Sequence, residues 1–135
     1  MKSILFPLVL CALLSGCLAR TGNHAELQTS AIADEAMASS GKLTGLKDAK
    51  AVTAELNQCA GRMQSHIRKL AQLVQQQGQA HVRDMIGDAY RKRLNGSFKF
   101  LRNAITAAER RLGKKAIAGG VGRIKNAINT LSGTL

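Results

Sequence analysis

The chain is 135 residues long and 45% hydrophobic, with 20 Lys and Arg against 8 Asp and Glu, a formal net charge of +12. One Tyr, three Phe, no Trp and a single Pro argue against a β-sandwich or barrel built on aromatic and β-branched strands, and the length leaves room for one small domain. An all-α chain with an anionic partner is the expectation that remains.

Met1 and Lys2 give a short positive start, Ile4 to Leu14 form an apolar run that contains Pro7, and the small residues Ser15 and Gly16 follow. Eleven residues of helix rise about 16 Å, well short of the roughly 30 Å hydrocarbon core, so the segment reads as an export signal rather than a membrane span. The junction Leu14-Ser15-Gly16-Cys17 resembles the lipobox of bacterial lipoproteins. The resemblance covers residues 1–17. It implies cleavage before Cys17, a lipidated cysteine bearing acyl chains of the palmitate kind, and attachment to a membrane through them. Each buried methylene contributes about 0.8 kcal/mol, so two or three chains anchor a protein where one lends only reversible affinity. Leu18 stands where an inner-membrane retention signal of the enteric type usually has Asp. The resemblance therefore implies the cell envelope, at the outer membrane and facing the periplasm.

Residues 17–45 are expected to be the lipidated N-terminus and a flexible tether, rich in Ala, Ser, Thr and Gly. A short helix from about Ala31 to Ala38, with Ser30 as N-cap, is its one predicted element. As a flexible chain, roughly 25 residues span about 25 to 30 Å.

Residues 46–135 read as the helical domain. Ala49, Val52, Leu56, Cys59, Met63, Ile67, Leu70 and Val74 recur at spacings of three and four, which predicts one long amphipathic helix of coiled-coil character. Gln75-Gln76-Gln77-Gly78 ends it, with Gly78 suited to a left-handed cap. Three shorter helices are predicted to follow. The first carries Val82, Ile86 and Leu94 and stops at Asn95-Gly96. The second starts at Ser97 as N-cap and runs through Phe98, Leu101, Ile105 and Leu112 to Gly113. The last uses Ile117, Val121, Ile124, Ile128 and Leu131, weakened by Gly119, Gly120 and Gly122, each costing roughly 1 kcal/mol in a helix interior.

Charge is concentrated at the C-terminal end. From Ala89 to Leu135 there are eleven bases, Arg91, Lys92, Arg93, Lys99, Arg102, Arg110, Arg111, Lys114, Lys115, Arg123 and Lys125, against Glu109 alone. Residues 18–61 hold four bases and five acids. A net +10 in 47 residues is self-repulsive and points to an anionic partner. In an envelope protein the available polyanions are phospholipid headgroups, lipopolysaccharide and acidic cell-wall polymers, which cationic amphipathic helices meet at an interface. The apolar stripes are equally what a helical bundle would pack together.

Cys59 is the thiol left after processing at Cys17. Two parallel copies of residues 49–74 would bring it to a two-fold axis, giving a homodimer with an intermolecular disulfide; the plainer reading is a buried small hydrophobe. Cys59, Met63 and His66 share a helix face and include soft ligands of the sort copper prefers, but no second cluster completes a site, and no metal or cofactor is expected. Asp84 and Asp88, near Arg83 and Arg91, read as surface ion pairs. Ala118-Gly119-Gly120-Val121-Gly122 lacks the Lys-Ser/Thr of a phosphate loop. No catalytic arrangement emerges, and an enzyme is not expected.

The resulting expectation is a lipid-anchored envelope protein with a binding or structural role. One alternative is a phage or prophage lipoprotein acting in lysis or superinfection exclusion. The other is a basic all-α nucleic-acid binder, should the lipobox not be used; the envelope address and the few aromatics for base stacking weigh against nucleic acid.

Overall fold

A computed structural model describes residues 23–135, which form five α-helices and one 3-10 turn, with no strand among the described residues. Leu14, Ser15, Gly16 and Cys17 lie outside the described residues.

The stretch expected to be a tether is, from His24 onward, a helix: α1, His24–Gly45. Its start is set by a capping box. Asn23 Oδ1 accepts from Glu26 N at 2.9 Å, and Glu26 Oε1 accepts from Asn23 N at 3.2 Å, so two otherwise orphan backbone donors are satisfied. The cap is therefore Asn23, not Ser30. Ala25, Thr29, Ile32, Ala36, Ser39 and Leu43 are buried at alternating spacings of four and three. That is a core-facing seam built of small residues. Thr29 returns its hydroxyl to the Ala25 carbonyl and Ser39 donates to the Glu55 carboxylate, which lets a Thr- and Ser-bearing stripe be buried with its polar groups satisfied.

α2, Ala49–Gln77, is the long amphipathic helix expected from the sequence, capped by Asp48, whose carboxylate accepts from Ala51 N at 2.7 Å. It ends where Gly78 takes φ +90°, a conformation that a side chain would strain. α3, Gln79–Met85, is one short turn segment, and Ile86-Gly87 separates it from α4, Asp88–Leu112. The chain does not break at Asn95-Gly96, and Ser97 is not a cap: it is buried in mid-helix and donates to the carbonyl of Arg93. Burial of Leu94, Phe98 and Leu101 outweighs the cost of about 1 kcal/mol for a helical glycine. Gly113, φ +94°, ends α4. A 3-10 turn, Lys115–Ile117, leads into α5, Ala118–Thr134.

The helices pack in the spatial order α4, α1, α2, α5. α1 is antiparallel to α2, as the pairs Gln28 with His66, Glu35 with Arg62 and Ser39 with Glu55 show. α4 runs parallel to α1, with Arg93 on Asp34 and Arg111 on Leu43. α5 lies along α2, where a Cβ on Gly120 would come within 2.8 Å of Leu56 Cβ; only glycine permits that approach. Ile32, Leu43, Leu56, Met63, Leu101 and Ile124 fill the centre.

α3 carries the chain from α2 to α4 and is tied to the start of α1. Asn23 Nδ2 donates to the Met85 carbonyl at 2.6 Å, and Gly87 N donates to Glu26 Oε2 at 2.9 Å. The same two residues that cap α1 thus also clamp the α3–α4 junction.

Candidate functional site

The eleven C-terminal bases divide by what they touch. Arg91 donates to the carbonyls of Ile86 and Arg83, and so satisfies the end of α3. Arg93 pairs with Asp34 of α1 and donates to Ser30. Arg111 donates to the carbonyls of Leu43 and Leu46, at 3.2 and 3.1 Å, where a cation also meets the negative end of the α1 dipole. These three hold the fold together. The other eight are exposed, and among the described residues none of them forms an ion pair. Asp84 and Asp88 are likewise without ion pairs among the described residues. Arg83, expected beside them, instead donates to the Leu135 carbonyl.

Among the described residues three seams of the bundle are closed, and the fourth, between α4 and α5, stands open. A groove of about 400 Å³ runs there, floored by Ile105, Val121, Ile124 and Ile128 and edged by Arg102, Lys114, Lys125 and Glu109. It continues into a second hollow of about 360 Å³, which shares Arg102 and Ile128 and is lined further along by Phe98, Leu131 and Leu135. Arg102 stands on the α4 lip and Lys125 on the α5 lip. No ion pair crosses the gap among the described residues. The α4 lip thus carries a base, Arg102, and an acid, Glu109, and the α5 lip a base, Lys125.

The apolar residues of this groove were legible as helix stripes. That the α4 and α5 stripes face each other across a gap was not, because it depends on which helices each has already packed against. Phe100, 59% exposed on α4, also escaped the sequence reading; its signal is an aromatic two residues off the Phe98 stripe.

The polar centre of the bundle lies elsewhere, between α1 and α2. Glu55, 8% exposed, accepts from Ser39 at 2.6 Å and from Arg62 at 3.1 Å, and Arg62 also pairs with Glu35. Burial of this carboxylate is tolerated because it is paired and hydrogen-bonded. Cys59 sits beside the cluster at 0% exposure, its Sγ 3.7 Å from the Glu35 carbonyl and 3.7 Å from Met63 Sδ. Burial pushes its thiol pKa up, outweighing the Ser39 hydrogen bond and the Arg62 charge, which act the other way. The α2 seam on which a second copy was expected to sit is covered by α1 and α5 of the same chain. A disulfide between two copies would need that packing to open. His66, the third member of the Cys59–Met63 face, turns its Nδ1 to Gln28 Oε1 at 3.0 Å. No helix among the described residues is long and apolar enough to cross a membrane.

Comparison with known proteins finds no family, no curated protein and no solved structure that matches the chain.

Proposed function

We propose that this chain is a lipid-anchored protein of the bacterial envelope that binds an anionic surface through the cations of α4 and α5. The observation that carries the reading is the coexistence of Leu14-Ser15-Gly16-Cys17 behind a charged, apolar start with eight exposed bases, at the other end of the chain, that form no ion pair among the described residues. Cys17 is the anchor and the helical bundle a rigid carrier. Because α1 is helical from His24, only six residues of sequence, 18–23, separate Cys17 from it, and the basic face works close to the membrane that holds it. Phospholipid headgroups are then the nearest polyanion, with lipopolysaccharide or an acidic wall polymer as neighbouring targets. Exposed Phe100 beside Lys99 adds an aromatic to the cationic face, the combination that interfacial helices use.

The intact mass of the protein extracted from bacterial membranes tests the anchor. A lipidated mass beginning at Cys17 supports the envelope address. An unmodified full-length mass removes the anchor and makes nucleic acid the partner that the charge then favours.

A further inference from the structure

Leu27, Met37 and Phe100 are the large hydrophobic side chains left exposed among the described residues, and all three stand on α1 and α4. We infer that the outer face of the α1–α4 pair is the side of the bundle that lies on an anionic phospholipid bilayer, with Leu27, Met37 and Phe100 inserted among the lipids and Lys92, Lys99 and Arg110 at the headgroups. The inference rests on the surface-binding reading above and deepens it by fixing which face meets the lipid.

The register of the two helices brings apolar side chains together. α1 and α4 run parallel, and Arg93 of α4 donates to Ser30 of α1. Seven residues on, two turns and about 10 Å further along both helices, stand Met37 and Phe100. The two therefore share the rim of one seam, 43% and 59% exposed, whereas exposed apolar residues scattered singly would need no explanation. Leu27 lies one turn before Ser30 on α1. Cations run beside them. Lys92, Lys99 and Arg110 are exposed and spaced by seven and eleven residues, so they form one ridge along the outer side of α4. Of the acids on this face, Asp34 is paired with Arg93, and Asp88 at the start of α4 stands against three bases. Apolar side chains flanked by bases are what an interfacial helix presents to anionic lipid. A second copy of the chain fits less well, since it would bring two cationic ridges into one interface. The proposed anchor agrees with this placement: residues 18–23 span at most about 22 Å and lead from Cys17 into α1, which carries Leu27 in its first turn.

The chain has no Trp, so a single one introduced at an exposed position reports its own surroundings. Leu27→Trp, Met37→Trp and Phe100→Trp place it on the inferred face, and Asn126→Trp places it on the α2–α5 side of the bundle. Each purified full chain is mixed with vesicles of equal parts phosphatidylglycerol and phosphatidylcholine whose acyl chains are brominated, which quenches an indole that reaches the hydrocarbon. The expected result is a loss of about half the emission or more in the first three chains and of less than about a tenth in Asn126→Trp. Lys92→Gln/Lys99→Gln/Arg110→Gln should lower retention on these vesicles more than about tenfold at low salt, with the melting temperature unmoved. Absence of binding to the anionic vesicles by every chain would overturn the surface-binding reading and this inference with it. Retention on the vesicles with the Trp at 37 and 100 unquenched, or with the Trp at 126 quenched as strongly, would leave surface binding standing and overturn the inferred face. A blue shift of the Phe100→Trp emission without vesicles, growing with protein concentration, would assign the face to a second copy and overturn it too.

Discussion

Gly120 of α5 lies directly over Leu56 of α2, so close that a Cβ at position 120 would be 2.8 Å from Leu56 Cβ and 3.3 Å from Thr53 Cα. A glycine that looks like a helix weakness in the sequence is the contact that seats α5. Gly120→Ala must push the two helices apart and should destabilise the fold by about 1 to 3 kcal/mol, as overpacking usually does. Gly61 in α2 and Gly96 in α4 have nothing within 4 Å of a Cβ, so Ala at either should stabilise by about 0.5 to 1 kcal/mol. Chemical denaturation of the three variants checks this; a Gly120→Ala chain as stable as the parent would refute the close packing.

Cys59 gives a pH signature. Its folded thiol pKa is raised above the ordinary value near 9 by burial, so the folded state holds the proton more tightly than the unfolded chain. The contribution is fully present below pH 9 and is lost as pH rises from the unfolded pKa through the folded one, with a slope of at most about 1.4 kcal/mol per pH unit. The stability difference between the parent and Cys59→Ala should therefore be flat from pH 6 to 8 and shrink above pH 9. Native-state alkylation of Cys59 should be slow and accelerate with denaturant.

Arg111 and Lys115 stand four positions apart with opposite roles. Arg111 closes the end of α1 by donating to the Leu43 and Leu46 carbonyls, so Arg111→Gln should lower stability by about 1 kcal/mol. Lys115→Gln should change stability by less than about 0.5 kcal/mol, while weakening retention on anionic vesicles. Phe100→Ser should behave like Lys115→Gln, reducing vesicle retention with the melting temperature unmoved. Melting curves and vesicle co-sedimentation at two salt concentrations separate the two effects.

Lys125 lines the groove together with both Arg102 and Glu109 of α4, so its charge meets one repulsion and one attraction between exposed groups. Lys125→Gln should therefore change stability by less than about 0.5 kcal/mol, and by still less at 1 M salt, where the screening length is about 3 Å. A larger loss of stability at low salt would mean that Lys125 has a stabilising partner.

Part of this architecture was legible because it is local. The α2 stripe from Val52 to Leu70 repeats every three or four residues with large side chains, and Gly78 and Gly113 mark the ends of two helices because positive φ is cheap only there. α1 escaped because its seam of Ala25, Thr29, Ala36 and Ser39 looks like linker composition, although Asn23 and Glu26 carried a readable cap. The continuity of α4 through Asn95-Gly96 was illegible for the opposite reason, a local break signal overruled by burial of Leu94 and Phe98 on either side of it.

What the sequence by itself determined is the helical class, the long α2 and the imbalance of charge, since each depends only on residue type and near spacing. Tertiary structure alone decided which bases are spent on the fold, that Cys59 is sealed in, and that among the described residues the α4–α5 seam is the one left open. Those outcomes depend on which helix faces which, and a helix reports the direction of its apolar stripe without naming the partner that will cover it.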